Sequence, residues 1–279
     1  MKARCGRSAA STTRTAEPNP GTVGGVTCET VRVNARGGAP KVAVVGPGRA
    51  GGAMAHALEQ AGWVVTARLG RTDDLRAGVQ GADVVILATP DDAIAEVSSS
   101  LVGATDAAVI HLSGSLGLEV LAGHQRPGCV HPLVSLPDAE VGARRLRGAW
   151  FAVAGDPVTL DVVSALAGRH VTVADGQRAT YHAAACIASN HFVALLGQVE
   201  RVAATAGLPL ELYLDLVRGS LDNVVELGPA GALTGPAARG DQATLDRHRA
   251  ALHPDELEAY DALVRAAQRL AAAPPSTNG

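Results

Sequence analysis

His182, Cys186 and Asn190 recur at intervals of four inside an alanine-rich stretch, so on a helix they share one face. Histidine can give or take a proton near neutral pH, and an asparagine amide can hold a substrate oxygen. These two are the candidate catalytic residues. A hydrogen-bonded core histidine and a helix-packing asparagine would account for the same stripe. His131, which precedes Pro132 at the end of a short apolar run, is a candidate to touch a small-molecule substrate. A further group lies between Leu233 and Asp241. Thr234 offers a hydroxyl there, and Arg239 a guanidinium able to clamp a carboxylate by two hydrogen bonds.

The strongest pattern is Val42-Ala-Val-Val-Gly-Pro-Gly-Arg-Ala-Gly-Gly52. Gly46, Gly48 and Gly51 carry the spacing that marks a dinucleotide site where a strand turns into a helix. Gly46 permits the tight turn, Gly48 lets backbone approach a pyrophosphate, and Gly51 lets helix and strand pack closely. With Arg49 and Ala50 they present a helix start, with free N–H groups and a positive dipole end, to the phosphates.

The flanking chain has the elements such a turn needs. Strands are expected over 42–45, 64–69, 82–88 and 108–112, with a helix over 50–61; further apolar runs follow at 129–136, 150–154 and 170–173. This is the βαβ alternation of a doubly wound sheet. Ligands bind beyond the carboxyl ends of such strands, where the turns at 90–92, 113–115 and 131–135 should rim one crevice. Thr89, Pro90 and Ser113 are therefore cofactor candidates. From Arg178 the pattern becomes helical: a long helix to Ala206, a second over 210–227, a third after Asp241 and a fourth from Pro254 to about Ala272. The expected fold is α/β, a doubly wound Rossmann-like domain over 39–177 followed by an all-helical domain over 178–273 that serves substrate binding or dimerisation. Residues 1–38 read as a disordered extension without a secretory apolar core, and 274–279 as a tail.

The end of the second strand decides the nucleotide. An acidic residue there would grip the ribose diol of NAD(H). This chain has Arg71 and Thr72, which suit a 2′-phosphate, so NADP(H) is favoured over NAD(H). Asp73 and Asp74 lie slightly beyond the usual position and keep NAD(H) as the alternative. With 279 residues, 47% hydrophobic and 18% charged, the chain can bury a large core. A net charge of −3 gives no pull towards nucleic acid or an anionic membrane. The four cysteines show no C-x-x-C pairing and fit reduced thiols in a cytoplasmic protein. No histidine or cysteine spacing matches a metal site.

Several of these segments, in this order, resemble one family: Val42 to Gly52, Ser113-Gly-Ser115, His131-Pro132, Tyr181-His-Ala-Ala-Ala with Ser189-Asn190, and Leu233-Thr-Gly-Pro236 with Arg239-Gly-Asp241. That family joins a Rossmann-like domain to a helical domain of unknown function, and the likeness spans about 40–272. It is similar in turn to the superfamily of 6-phosphogluconate dehydrogenase, pyrroline-5-carboxylate reductase and ketopantoate reductase. The resemblance implies an NADPH-dependent reductase of a small 2-oxo acid, ketopantoate among the candidates, and the Ala- and Leu-rich composition of the helical domain would suit a homodimer. A non-catalytic dinucleotide-sensing dimer and an imine- or deazaflavin-linked reductase are the alternatives. Many superfamily members place a lysine on the first long helix of the second domain, with an asparagine four or eight residues on. This chain has no lysine after Lys41. His182 in that place would leave Asn190 eight residues on, on the same face.

Overall fold

The computed structural model describes residues 38–272. The extension expected over 1–38, apart from Gly38, and the tail over 274–279 lie outside the described residues, as do Cys5 and Cys28. The chain forms two compact units that divide after His182.

The first unit is built on seven strands: β1 (Lys41–Val45), β2 (Val64–Leu69), β3 (Val84–Leu87), β4 (Ala108–His111), β5 (Pro127–Pro132), β6 (Trp150–Gly155) and β7 (Arg169–Thr172). Between them lie α1 (Arg49–Gln60), α2 (Leu75–Gly78), α3 (Asp91–Leu101), α4 (Ala139–Leu146) and α5 (Val158–Ala165). The sheet order is β2-β1-β3-β4-β5-β6-β7. The chain leaves β1 in one direction for β2 and returns past it for β3, so the order reverses between β1 and β3. A crevice opens at such a switch point.

Alternation along the strands supplies both faces of the sheet. Val42, Val44, Val84, Ile86 and Ile110 point to one side, where Met54 and Leu58 of α1 and Leu146 of α4 cover them. Ala43, Val45, Val85, Leu87 and Val109 point to the other, under Ile94 and Leu101 of α3. Strands buried on both faces read as continuous apolar runs, which is why they stand out in the sequence.

The doubly wound α/β expectation holds, with one feature the sequence does not announce. β1 to β5 run parallel, but β6 is antiparallel to β5. The chain leaves β5, passes through α4 and re-enters beside the strand it left: the Leu133 N–H donates to the Trp150 carbonyl at 2.8 Å. The carboxyl ends of β1, β3, β4 and β5 therefore share one edge, and that edge carries the site.

The second unit is helical. The long segment from Arg178, whose residues up to His182 belong to the first unit, is α6 (Arg178–Cys186), a π-helical stretch (Ile187–His191) and α7 (Phe192–Thr205). Then come α8 (Glu211–Ala232), α9 (Pro236–Arg239), α10 (Gln242–Ala251) and α11 (Pro254–Ala272). α8 runs past the end expected at 227, but Gly228, at φ 70 and ψ 168, interrupts it, and Pro229 opens a final turn. Asp241 caps α10 by accepting from the Thr244 N–H at 3.1 Å. Arg201 holds Glu256 by two hydrogen bonds of 2.6 and 3.1 Å, which ties α7 to α11. No described helix is long and apolar enough to cross a membrane.

Candidate active site

The glycine turn between β1 and α1 has the geometry its spacing implies. Gly46 sits at φ 88, and a Cβ there would lie 2.8 Å from the Ala88 carbonyl carbon and oxygen and 2.9 Å from Thr89 N. Gly51 is tighter: its Cβ would meet the Gly46 carbonyl oxygen, with the Ala88 Cβ at 2.9 Å. Both are needed by the protein itself. Gly48 differs, because a Cβ there would meet nothing within 4 Å. It caps α1 at φ −72, without a side-chain cap and without an acidic residue in the first turn. The N–H groups of Arg49, Ala50 and Gly51 thus open the helix unopposed, and Gly48 leaves the approach to them clear. Beside this turn the Thr89 hydroxyl is buried without a hydrogen-bond partner among the described residues. Pro90 is the N-cap residue of α3. An open glycine, an uncapped helix start and an orphan hydroxyl fit a pyrophosphate and its sugar.

At the end of β2 the two acidic residues are committed to the backbone. Asp73 accepts from the Gly70 N–H at 2.7 Å, and Asp74 caps α2 by accepting from the Ala77 N–H at 3.1 Å. Arg68 is held by Glu59 at 2.8 Å. Arg71 and Thr72 are exposed, and among the described residues neither has a side-chain hydrogen bond. The groups free to meet a ribose substituent are therefore the cation and the hydroxyl.

Further along the edge, the turn after β4 is organised by Asp91 at the start of α3. One oxygen, Asp91 Oδ2, accepts from Ser113 Oγ at 2.7 Å and from Ser115 Oγ at 2.6 Å. Ser113 Oγ also accepts from the N–H groups of Ser115 and Leu116, both at 3.2 Å. The Ser113 hydroxyl is thus spent inside the turn. Between the two serines, Gly114 faces two imidazoles: a Cβ would lie 2.6 Å from His182 Cδ2 and 2.8 Å from His131 Nε2. The rings of His131 and His182 meet edge to face at 5.8 Å. Ser113, His131 and His182 therefore come together on the edge that carries the glycine turn.

Under this turn lies a buried cation. Arg178, at the start of α6, has no exposed surface. Its Nη1 donates to Cys129 Sγ at 3.1 Å, its Nε is 3.4 Å from Asp175 Oδ1, and Nη2 has no hydrogen-bond partner among the described residues. The charge acts on its neighbours. Burial first, and the coulombic effect of Arg178 second, bring the His111 imidazolium down to about 4. For His131 burial is again first, followed by His182 and Arg178, and the result is also about 4. At Cys129 burial outweighs the cation and pushes the thiol up to about 11, so it stays protonated and donates to the Ser113 carbonyl at 3.4 Å. Cys129 is a packing thiol rather than a nucleophile.

Of the remaining predicted residues, Asn190 lies in the π-helical stretch, exposed, where Ser189 Oγ donates to its Oδ1 at 2.8 Å. A π turn bonds i to i+5, so the four-residue spacing that keeps His182 and Cys186 on one face changes its angle before reaching Asn190. Thr234 and Arg239 are both exposed, at either end of the short connection that contains α9. Arg178, Tyr181 and Asp91 were not singled out by residue type. A buried arginine and a surface arginine look alike in a sequence; the serine pair two apart, facing an aspartate at a helix start, was the signal available for Asp91.

Residues 149–267 match the family described as Domain of unknown function (DUF2520). No curated protein sequence matches the chain. Among solved structures, the chain is similar to an inferred NADP oxidoreductase of Bacteroides fragilis, with a TM-score of 0.72 and 22% identity over 83% of this chain and 98% of that one. It is similar to protein TM1727 of Thermotoga maritima, at TM-score 0.64 and 23% identity over 82% and 98% of the two chains. It also resembles the NADP-bound pyrroline carboxylate reductase of Plasmodium falciparum, at 0.56 and 14% over 84% and 98%. At these identities the likeness establishes the fold.

Proposed function

We propose that the protein is an NADP(H)-dependent oxidoreductase that reduces a small 2-oxo acid, with ketopantoate the first substrate to try. The observation that carries this reading is one sheet edge holding both a glycine cradle open at Gly48 and, further along, a histidine pair around Gly114. The Bacteroides and Plasmodium structures, described as an inferred NADP oxidoreductase and an NADP-bound reductase, support its coarser part, NADP-dependent oxidoreduction. Gly46, Gly48, Arg49, Ala50 and Gly51 would hold the pyrophosphate, Thr89 and Pro90 would line the adjoining sugar, and Arg71 with Thr72 would take the 2′-phosphate. The cofactor, when bound, supplies the hydride.

The protein's own part is orientation and proton supply. His182 gives a proton to the substrate oxygen, and the buried Arg178 makes the region beneath the serine turn favourable to an anionic substrate. Arg239 and Thr234 are assigned the carboxylate, and Asn190 the reacting oxygen, on the chemistry read from the sequence. The test is a screen of 2-oxo acids with NADPH, followed by His182→Gln. Turnover should fall at least 100-fold while NADPH affinity holds, an effect in the range of general acid catalysis; unchanged turnover removes His182 from the mechanism. Arg239→Ala should raise the Michaelis constant for the acid, and an unaltered constant refutes the carboxylate clamp. Imine reduction is the second reading, since the Plasmodium relative is a pyrroline carboxylate reductase.

The working form we propose is a cytoplasmic homodimer. α8 has no buried residue, and beside its charged stripe Leu212, Leu216, Leu221 and Val225 are each more than half exposed. Exposed apolar surface of this kind marks a contact site, and a second copy of the chain would cover it.

A further inference from the structure

We propose that Tyr181 is a positioning residue: it locks His131 in the Nε2–H tautomer, so that the outward nitrogen of His131 is a fixed hydrogen-bond donor for a substrate oxygen. The identity of that acceptor rests on the reductase reading above. The tautomer does not.

Tyr181 Oη lies 2.7 Å from His131 Nδ1, with the rings perpendicular at 5.5 Å. Either group could be the donor, and counting hydrogens decides between them. The phenol has one hydrogen and no other hydrogen-bond partner among the described residues. If Nδ1–H donated, the phenol hydrogen would be left facing a half-buried space without an acceptor. If the phenol donates, its hydrogen and Nδ1 are both satisfied, and the ring proton must sit on Nε2. Burial moves both groups away from the charged alternatives. It pushes the Tyr181 phenol up to about 12 and brings the His131 imidazolium down to about 4. Of the charged or titratable groups that act on the ring, His182, Arg178 and His111 oppose protonation, and Asp91 favours it. The neutral pair is therefore the state present at working pH.

The other face of the ring shows what the lock is for. His131 Nε2 and Cε1 lie 2.8 and 2.9 Å from the position a Gly114 Cβ would take. Nε2 has no hydrogen-bond partner among the described residues and is not sealed from solvent. A side chain at 114 would run into this nitrogen, so glycine there keeps the Nε2–H uncovered, and no described residue uses it. A neutral imidazole in this role donates a hydrogen bond and keeps its proton, which leaves proton transfer to His182. Such a donor suits a carbonyl or carboxylate oxygen. It disfavours an iminium nitrogen, which brings a hydrogen of its own. The arrangement selects a 2-oxo acid over an imine at the same site.

The test uses the full chain labelled with ¹⁵N and long-range ¹H–¹⁵N correlation of the histidine rings, with His131 assigned by its disappearance in His131→Gln. The expected spectrum has a bare Nδ1 and a protonated Nε2 that persist from pH 7.5 to about 5. In Tyr181→Phe the two tautomers should average. A protonated Nδ1 in the wild type, or an unaltered pattern in Tyr181→Phe, overturns the proposal. Should Tyr181→Phe fail to fold, the wild-type spectrum still decides the tautomer. With a substrate in hand, His131→Gln, whose amide N–H reaches about where Nε2–H stands, should keep at least tenfold more turnover than His131→Asn. Equal losses contradict the donor role. NADPH titration of the same samples separates the two readings: no binding sinks the reductase, and the ring spectrum still judges the tautomer.

Discussion

Gly48→Ala and Gly51→Ala separate what the glycine turn does for the fold from what it does for a ligand. At Gly51 an added Cβ is driven into the Gly46 carbonyl oxygen and onto Ala88 Cβ at 2.9 Å, so α1 must move away from the turn. Overpacking of this kind costs about 1–3 kcal/mol, and Gly51→Ala should lose both thermal stability and cofactor binding. At Gly48 the Cβ meets nothing within 4 Å, and φ is −72, which alanine adopts freely. Its stability should be unchanged or raised by about 0.4–1 kcal/mol through the unfolded chain. The same methyl stands in the approach to the N–H groups that open α1. Losing one charge-assisted hydrogen bond there costs about 1.5–3 kcal/mol, a roughly 10- to 150-fold weaker NADPH complex. Thermal unfolding and nicotinamide fluorescence, measured on both variants, give four numbers. Full NADPH affinity in Gly48→Ala would refute the cradle and leave the turn a packing device.

Other perturbations test the rest of the edge. In Gly114→Ala the new Cβ, 2.6 Å from His182 Cδ2 and 2.8 Å from His131 Nε2, must displace the rings; a shift of about 1 Å should cost about 100-fold in turnover, and wild-type turnover would contradict the site. Arg71→Ala should weaken NADPH by about 1–2 kcal/mol and leave NADH unmoved; equal losses of both would remove Arg71 from nucleotide choice. His111 and His131 titrate near 6.5 when unfolded and at about 4 when folded, so the unfolded chain binds more protons in that window. Stability is full above pH 6.5 and is lost as pH falls towards 4, by about 1.4 kcal/mol per pH unit per histidine. Urea midpoints should show it, and His131→Gln should flatten the slope; an unaltered slope would mean that His131 is not held neutral. Leu216→Glu with Val225→Glu should turn a dimer into a monomer in sedimentation, whereas a monomeric wild type would contradict the proposed cover for α8.

The strands and the first glycine turn were legible because burial on both sheet faces writes continuous apolar runs, and a strand-to-helix turn against a neighbouring strand needs glycine at fixed places. The reversal at β6 was not, since a strand's apolar run is the same in either direction; only the return of the chain through α4 decides it. The face shared by His182 and Cys186 was readable from spacing, but the π-helical stretch that changes the angle at Asn190 leaves no periodic mark. Arg178 was invisible for a different reason. Sequence patterns assume charges outside, and this one is fully buried against a thiol and one aspartate. Asp73 and Asp74 illustrate the same limit in reverse, because only their bonds to Gly70 and Ala77 show that they serve the backbone.

The central claim is the nucleotide site, and the most direct measurement is titration of the full chain with NADPH and with NADH, followed by nicotinamide fluorescence. The account predicts saturable binding of both, with NADPH at least fivefold tighter. Binding of neither would contradict it, and with it the reductase reading of the histidine pair.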